Sequence, residues 1–340
     1  MKTIKDVAKQ AGVSLTTVSR VVNGSEKVSP KTKERVELAI KELGYFPNNA
    51  ARSLVKKQTN SIAVMLRNIH DPFFTNLIRG IEDASSALER NVIFCSPGTD
   101  EKVRDRYIEY LTNGISDAII LYGSLFSDKP MIDHLQEVNF PLLLIENNFQ
   151  TIPVNQFLID NIAGARCAVE YLIRRGHKRI AHFIGNPNKK VVLERFNGYT
   201  EAMQTNGLFI HDYYIQNTSR DTASVLPQLE ALMSYDPAER PSAIFCSNDK
   251  IAIQVIDGLT ELGYSVPGDV SIIGFDNLKN YDINYRGPRI TSIQQPLYQI
   301  GYDSIVSIDR ILSGDISTPI SECYSTTLVE HETVCDYAGE

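Results

Sequence analysis

Two short amphipathic helices are predicted at the start of the chain from the spacing of its apolar positions. In the first helix, apolar residues recur at the i, i+3, i+4 and i+7 positions that share one face: Ile4, Val7, Ala8 and Ala11. Gly12 permits the left-handed turn that ends this helix, and Ser14 is placed to cap a second one. The second helix would turn inward Val18, Val21 and Val22. Two helices joined by so short a turn are typical of a helix-turn-helix.

The outward side chains of the second helix are candidate contacts to DNA. In a helix-turn-helix the start of this helix lies in the major groove, and an arginine there is suited to a guanine edge. The candidate contacts are Leu15, Thr16, Thr17, Ser19, Arg20 and Asn23. A small helical hairpin with a solvated face is the alternative.

A third helix is predicted to begin at the Ser29-Pro30 pair and to end at Gly44, which completes a head of residues 1–48. Residues 49–58, with the segment AARSLVKK, are expected to form a hinge helix of about two turns. A helix shorter than roughly 12 to 15 residues is marginal in water. The hinge is therefore expected to fold only against DNA and a partner hinge.

One apolar side chain of the hinge, Leu54, stands among the cations Arg52, Lys56 and Lys57. Such a leucine is badly placed for solvent but well placed to wedge between base steps in the minor groove while the cations meet phosphates. The hinge thus predicts DNA contacts at Arg52, Leu54 and Lys57. A flexible linker with an incidental leucine is the alternative.

From Ser61 onward, short apolar runs alternate with amphipathic helical stretches, which is the pattern of βαβ units and a parallel sheet. The predicted strands are SIAVML, VIFC, DAIILY, PLLLIE, RIAHFI, SAIFC and VSIIGF. About 280 residues of such alternation suggest two subdomains. The predicted fold class is a small all-α helix-turn-helix head followed by an α/β core of two doubly wound parallel-sheet subdomains.

Polar and aromatic side chains follow the strands at their carboxyl ends, where open parallel sheets bind ligands. They are Asp71, Phe73, Phe74, Tyr122, Glu146, Asn248, Asp276 and Gln295. An aromatic ring stacks on the apolar face of a sugar, and carboxylates and amides grip its hydroxyls. These side chains therefore predict a sugar site. Alternatively, Asn248 and Asp276 are helix caps, Asp71 is a turn former and the phenylalanines are core.

Charge is unevenly distributed along the 340 residues. Residues 1–57 hold 12 Lys and Arg against 5 Asp and Glu, a balance of +7, and the rest of the chain has −14, which gives the total of −7. A basic head suits a polyanion, whereas an acidic body disfavours loose association with nucleic acid. DNA binding is therefore predicted for the N-terminal part only.

Several classes of protein are disfavoured by what the sequence lacks. No segment approaches 18 uninterrupted apolar residues, so no membrane span or signal peptide is predicted and the expected location is the cytoplasm. The five cysteines are scattered singly, which favours free thiols over disulfides or a metal site. No nucleophile elbow, phosphate-cradling glycine loop or metal-ligand set is found, so we expect no enzyme, cofactor or metal.

The chain resembles the LacI/GalR family of bacterial transcription regulators. The carrying segments are IKDVAKQAGVS, TTVSRVVNG, KELGYFPN, AARSL, NIHDPFF, RRGHKRIAHFIG, ERFNGY, FCSNDKIA, VPGDVSIIGFDN and ITSIQQPL, which cover essentially the whole chain. The resemblance extends to periplasmic sugar-binding proteins. It implies that the core, residues 59–340, has subdomains joined by three crossings. The expected N-subdomain is about 59–160 and 291–321, and the C-subdomain about 161–290 and 322–340.

The resemblance also assigns ligand contacts, at Asp71, Phe74, Arg195, Asn248, Asp276 and Gln295. Asp160, at the first crossing, is included in the predicted site. Lys189 and Lys190 lie in the loop where the purine-binding branch of the family carries a ligand-contacting arginine. Lys189 is therefore a candidate contact to an anionic ligand, with a solvated charge pair as the alternative.

The expected function is that of a homodimeric repressor of carbohydrate-utilisation genes, which binds a palindromic operator and is released by a sugar effector. One alternative is a catabolite-control regulator with a phosphoprotein corepressor. Val306 argues against it, because that branch of the family carries an arginine at this position. Another is a repressor that responds to a purine or anionic ligand. The sequence leaves open the effector, the operator, the choice between induction and corepression, and assembly beyond a dimer.

Overall fold

The computed structural model describes residues 2–22, 24–25, 27–45, 58–124, 126–147, 153–187, 189–218, 224–278, 285–316 and 319–338. The chain divides into two compact units, Met1–Thr59 and Asn60–Glu340. We refer to them as the head and the core. The predicted hinge falls almost wholly outside the described residues.

The head consists of three helices, α1 (Ile4–Ala11), α2 (Leu15–Val22) and α3 (Pro30–Leu43). The carboxylate of Asp6 accepts a hydrogen bond from the backbone N–H of Thr3 at 2.8 Å, which satisfies a free donor at the start of α1. Gly12 ends α1 with φ of 62°, a conformation that favours glycine. The predicted inward positions meet in one core, in which Val7, Val18 and Val36 are fully buried.

The core contains the strands β1 (Ser61–Met65), β2 (Asn91–Cys95), β3 (Ala118–Tyr122), β4 (Leu142–Ile145), β5 (Asn155–Ile159), β6 (Ile180–Ile184), β7 (Ile215–Asn217), β8 (Ala243–Cys246), β9 (Ser271–Phe275), β10 (Thr291–Gln294), β11 (Ser321–Tyr324) and β12 (Thr327–Val329). Its helices are α4 (Thr75–Ala87), α5 (Glu101–Thr112), α6 (Lys129–Glu137), α7 (Asn161–Arg174), α8 (Lys190–Thr205), α9 (Leu226–Met233), α10 (Asp249–Glu261) and α11 (Leu297–Leu312). Short 3-10 turns lie at Pro72–Phe74, Phe126–Asp128 and Asp212–Tyr214.

The strands form two six-stranded sheets. The first has the order β11-β5-β4-β3-β1-β2 and is parallel throughout. The second has the order β12-β10-β9-β8-β6-β7, and only the pairing of β12 with β10 is antiparallel among the pairs described. The predicted fold class is thereby confirmed.

Helices cover both faces of each sheet. Successive side chains of a strand point to opposite faces, so each strand packs against helices on both sides. In β1, Ile62 and Val64 pack with α4 and α11, whereas Ala63 and Met65 pack with α5 and α6. In the second sheet, Ile272 of β9 packs with α9 and α10, and its neighbour in the strand packs with α7 and α8. This arrangement leaves the strand ends free of helices and available for a site.

The chain crosses between the sheets three times, after β5, after β10 and after β11. Two of these crossings lie a few residues later than expected. Residues 291–294 pair with β9 and so belong to the second sheet, whereas residues 321–324 pair with β5 and so belong to the first. The expected boundaries near 290 and 322 are corrected accordingly, because strand pairing sets the crossings and the apolar pattern of so short a strand does not reveal its partner.

Five strands are absent from the list of predicted strands, β5, β7, β10, β11 and β12, although the placing of Gln295 after a strand implied β10. Strand β5 begins with Asn155 and Gln156, and β11 is largely exposed, so neither has the continuous apolar run of a buried parallel strand. Within the described part of the chain, no helix has the length and apolar character needed to span a membrane.

Candidate functional site

The second helix of the head presents a polar face away from the three-helix core. Leu15, Thr16 and Arg20 are exposed on it, and Ser19 is half-buried. Leu15 keeps 44% of its surface accessible although it is apolar. An exposed apolar side chain beside a threonine and an arginine offers contacts to a thymine methyl group, to phosphates and to guanine.

Thr17 is half-buried, and its hydroxyl lies 2.9 Å from Ser14 Oγ, so it helps to hold the start of α2. The remaining predicted DNA contacts, Asn23, Arg52, Leu54 and Lys57, lie outside the described residues.

A cleft of about 430 Å³ lies between the carboxyl ends of the two sheets. Segments after β1, β3 and β4 of the first sheet face segments after β6, β8 and β9 of the second. The predicted residues that line it are Asp71, Phe73, Phe74, Tyr122, Glu146, Lys189, Arg195, Asn248 and Asp276. Its volume falls within the range of small-molecule sites, about 300 to 1,000 Å³.

Three aromatic rings form part of the cleft wall. Phe73 and Phe74 lie edge-on to Tyr122, with ring centroids 5.9 and 5.1 Å away. Asp71 holds the turn that carries the phenylalanines, because its carboxylate accepts a hydrogen bond from the backbone N–H of Phe73 at 3.1 Å. Burial raises the pKa of Tyr122, so its phenol stays protonated at neutral pH and remains a hydrogen-bond donor.

Arg195, on α8, is buried in the cleft wall and is held by several contacts. Its Nε donates a hydrogen bond to Asn161 Oδ1 at 3.0 Å, and Nη1 donates to the carbonyl of Ser247 at 2.6 Å. The same Nη1 lies 3.3 Å from Asp276 Oδ1. The guanidinium carbon lies 3.7 Å from the centroid of the Phe275 ring, a cation–π contact. These contacts fix the guanidinium in one orientation within the cleft wall.

Glu146 follows β4 and is buried, with a left-handed φ of 53°. Its carboxylate accepts hydrogen bonds from the backbone N–H of Ile159 at 2.7 Å and from Asn161 Nδ2 at 3.0 Å. Burial raises the pKa of Glu146 to about 7, although these hydrogen bonds and the charge of Arg195 act in the opposite direction. Near neutral pH, Glu146 is therefore partly ionised and partly protonated. The ionised carboxylate only accepts hydrogen bonds, whereas the protonated carboxyl group also donates one.

Asp276 occupies a strained turn directly after β9. Its φ is 105° and that of Asn277 is 47°, both in the region that side chains rarely adopt. Gln295 Nε2 donates a hydrogen bond to Asp276 Oδ1 at 2.6 Å, and the backbone N–H of Asp276 donates to the carbonyl of Ile293 at 2.7 Å. Burial raises the pKa of Asp276, while Arg195 and Gln295 act to lower it.

A second carboxylate, Asp249, holds this turn from behind; the sequence placed it after a strand end but not among the predicted ligand contacts. It is fully buried and accepts hydrogen bonds from the hydroxyl of Ser292 and from the backbone N–H of Leu278, each at 2.7 Å. Burial raises its pKa well above the ordinary value. Gly274 leaves the room for it, since a Cβ there would overlap Asp249 Oδ1. A glycine inside a buried strand is a sequence signal for such a close approach.

Three predicted site residues form hydrogen bonds that support the surrounding fold: Asp160, Asn248 and Gln295. Asp160 caps α7 by accepting from the N–H of Ala163 at 2.9 Å, and it borders a neighbouring cavity of about 150 Å³. Asn248 lines the cleft but also caps α10. Gln295 reaches the cleft through Asp276, and Lys189 is exposed at the start of α8. No group of three potential metal ligands occurs among the described residues.

Two cations of the cleft were missed. Arg67 follows β1, where the rule that placed the other residues also applies, and it pairs with the buried Asp128 at 2.8 Å. Lys250 stands in the first turn of α10, and its Nζ lies 2.5 Å from Asp71 Oδ2. The strand-end rule locates residues after each strand separately. It therefore does not predict a contact between an aspartate of one subdomain and a lysine of the other.

Comparisons with known proteins match both units of the chain. A model of the bacterial regulatory proteins of the lacI family matches residues 3–48, and a model of the periplasmic binding proteins and sugar-binding domain of the LacI family matches residues 59–316. Catabolite control protein A of Priestia megaterium is 34% identical over 302 residues, which are 88% of this chain and 89% of that protein.

Solved structures show the same similarity. The lac repressor dimer bound to operator and the anti-inducer ONPF matches with a TM-score of 0.85 and 26% identity, over 98% of this chain and 99% of that one. The complex of the transcriptional regulator CelR with cellobiose matches with a TM-score of 0.72 and 28% identity, over 98% of this chain and 100% of that one.

Proposed function

Because the chain belongs to the LacI family of bacterial regulatory proteins, we propose that it is a repressor whose core binds a neutral sugar in the cleft. The chain is a DNA-binding regulator of transcription with an effector-binding core, as its sequence predicted. The class of effector, the contacting residues and the direction of the response are the proposed parts.

The observation that carries the neutral sugar is the pairing with carboxylates of four of the five cations that line the described part of the cleft. The pairs are Arg195 with Asp276 at 3.3 Å, Lys250 with Asp71 at 2.5 Å, Lys190 with Glu194 at 3.2 Å and Arg67 with Asp128 at 2.8 Å. A hydroxyl both donates and accepts, so it can bind beside such a pair without breaking it. An anionic ligand would instead have to compete with the resident carboxylates.

The aromatic rings supply the second requirement of a sugar site. Phe73, Phe74 and Tyr122 present apolar surface on which the CH face of a pyranose can stack. Arg195 and Asp276 then offer a donor and an acceptor to adjacent hydroxyls. We propose Asp71, Glu146 and Asn248 as further contacts.

We propose that the head reads a palindromic operator as part of a homodimer. One recognition helix reads only a few base pairs, and two related by a two-fold axis read a symmetric site with twice the phosphate contacts. The similar lac repressor structure is described as a dimer bound to operator. Because chromosomal DNA is the proposed target, we propose the bacterial cytoplasm as the location of this activity.

Effector binding is proposed to release the operator. A ligand shifts an equilibrium between subdomain arrangements only by its difference in affinity for them, and such coupling is typically about 1 to 3 kcal/mol. In this proposal the sugar favours an arrangement that lowers DNA affinity, so the sugar is an inducer.

A second candidate is suggested by the 34% identity with a catabolite control protein, namely repression that requires a protein corepressor. A ligand with an anionic group is a third, since the exposed Lys189 lines the cleft. The experiment below separates all three.

The test is a thermal-shift screen of the full chain against neutral sugars, the matching sugar phosphates and sugar acids, and purines. A ligand at 100 times its dissociation constant adds about 2.7 kcal/mol of stability. We expect stabilisation by a neutral sugar, its reduction to roughly 0.4 to 1.4 kcal/mol in Asp276→Ala, where the affinity should fall about 10- to 100-fold, and its retention in Lys129→Gln, a change on α6 outside the cleft lining. Stabilisation by phosphates or purines alone would contradict the neutral sugar, and no hit at all would favour the protein corepressor.

A further inference from the structure

The ion pair between Asp71 and Lys250 joins the two subdomains across the cleft. Asp71 follows β1 of the first sheet, and Lys250 lies in α10, which follows β8 of the second. The side chain of Lys250 is 54% exposed and that of Asp71 20% exposed, so the pair lies at the solvent edge of the cleft. We propose that this pair is a latch that keeps the mouth of the ligand-free cleft closed.

The placement of Lys250 runs against the local preferences of a helix. With Asn248 as the cap, Lys250 is the second residue of α10, where the positive end of the helix dipole disfavours a cation. A residue that is unfavourable for its own helix is expected where its side chain has a role in tertiary contacts or in function. For Lys250 this role is the ion pair with Asp71, in which Nζ lies 2.5 Å from Oδ2 of a residue on the other side of the cleft.

Asp71 connects the latch to the wall that a ligand would touch. One oxygen of its carboxylate binds Lys250, and the other accepts from the backbone N–H of Phe73 at 3.1 Å. The same side chain therefore joins the opposite subdomain and orients the turn that carries the aromatic wall. Opening of the mouth and the position of Phe73 are coupled through this one residue.

The two subdomains are also tied together next to the first crossing. There the buried Glu146, of the first sheet, accepts from Asn161, at the start of α7, and Asn161 in turn accepts from Arg195. Because the crossings hold the subdomains together, the subdomains can separate only away from them, and the Asp71–Lys250 pair is a contact between the subdomains outside the crossing segments. Lys250 is accordingly a positioning residue for closure, whichever effector the cleft takes.

Hydrogen–deuterium exchange of the full chain, without ligand or DNA, tests the latch. Lys250→Met keeps the apolar stem and removes the charge, Lys250→Arg keeps the charge, and Asp71→Asn keeps an acceptor for the Phe73 N–H. We expect Lys250→Met and Asp71→Asn each to speed exchange roughly two- to fivefold in residues 190–195, which contain neither mutated residue, as suits an exposed pair. Lys250→Arg should exchange like the wild type.

Two comparisons separate a latch from a local disturbance. The double variant Asp71→Asn with Lys250→Met should exchange no faster than either single variant, because both remove the same contact. Lys129→Gln breaks a pair of similar length and exposure, 2.6 Å from Asp133 within α6, and should leave residues 190–195 unchanged. Unchanged exchange in Lys250→Met, or additive effects in the double variant, would overturn the latch. Because no sugar is present, this outcome is independent of whether the cleft binds one.

Discussion

The buried carboxyl of Glu146 predicts an unusual dependence of core stability on pH. Its pKa in the folded chain is about 7, above the ordinary 4.5, because burial disfavours the charged form. The folded state therefore binds the proton more tightly than the unfolded state. The stabilisation is fully present below about pH 4.5 and is lost as the pH rises through about 7.

The size of the effect follows from the shift of the pKa. One pKa unit corresponds to about 1.4 kcal/mol, so between pH 5 and pH 8 the wild type should lose roughly 2 to 3 kcal/mol through Glu146. The variant Glu146→Gln cannot titrate and lacks this loss. The burial-raised pKa values of Asp249 and Asp276 act in the same direction, but both groups remain in the variant.

The measurement is urea unfolding of both proteins at several pH values between 5 and 8. The chain has no tryptophan, so far-ultraviolet circular dichroism follows the core transition. Glu146→Gln is expected to be less stable than the wild type at pH 5, because the amide places a donor against Asn161 Nδ2, and to approach the wild type at pH 8. If the two stability profiles ran parallel across this range, the assignment of the titration to Glu146 would be wrong.

Four further substitutions test other parts of the molecule. Arg20→Ala should remove about 1 to 3 kcal/mol of operator preference per half-site, and unchanged discrimination between operator and random duplex at matched salt would contradict its role. Leu54→Ala should weaken specific binding and reduce DNA bending, so equal bending in a gel-mobility assay would contradict the wedge. Asp276→Ala should weaken sugar binding by about one to two orders of magnitude in calorimetry, and an unchanged affinity would make it a structural residue only. Gly274→Ala should lower the free energy of unfolding by about 1 to 3 kcal/mol, because its Cβ would overlap Asp249 Oδ1; a urea midpoint like that of the wild type would show that the turn can adjust.

The sequence predicted the elements whose apolar pattern is strong. In the head, the inward face of α1 and the glycines that end α1 and α3 are where the spacing placed them. In the core, the buried strands were found, but β5 and β11 were not, because their polar and exposed positions lack the pattern of a buried strand. The positions of the crossings depend on pairing between strands far apart in sequence, which single segments do not encode.

Many of the residues that line the cleft were predicted, but several contacts between them were not, because the sequence rule applies to one strand at a time. The rule that ligands bind at strand ends brought Asp71, Tyr122, Glu146 and Asp276 to one place, because it depends only on where each strand stops. Contacts between two strand ends were not predictable in this way. The pairing of Asp71 with Lys250 requires the distance between the subdomains, which no pattern along the chain contains.

The order of the strands has a consequence for the synthesis of the protein on the ribosome. Strand β5 is paired on one side by β4, and its other side is covered only by β11, which is synthesised after all the other described strands except β12. Strand β10 likewise gains its second neighbour only when β12 emerges. Nascent chains that stop before residue 321 therefore expose β5 and β10, which are mostly buried or half-buried in the finished core, as sheet edges in place of β11 and β12, and exposed edges recruit other chains. Premature termination should yield an aggregating product instead of a smaller working sensor.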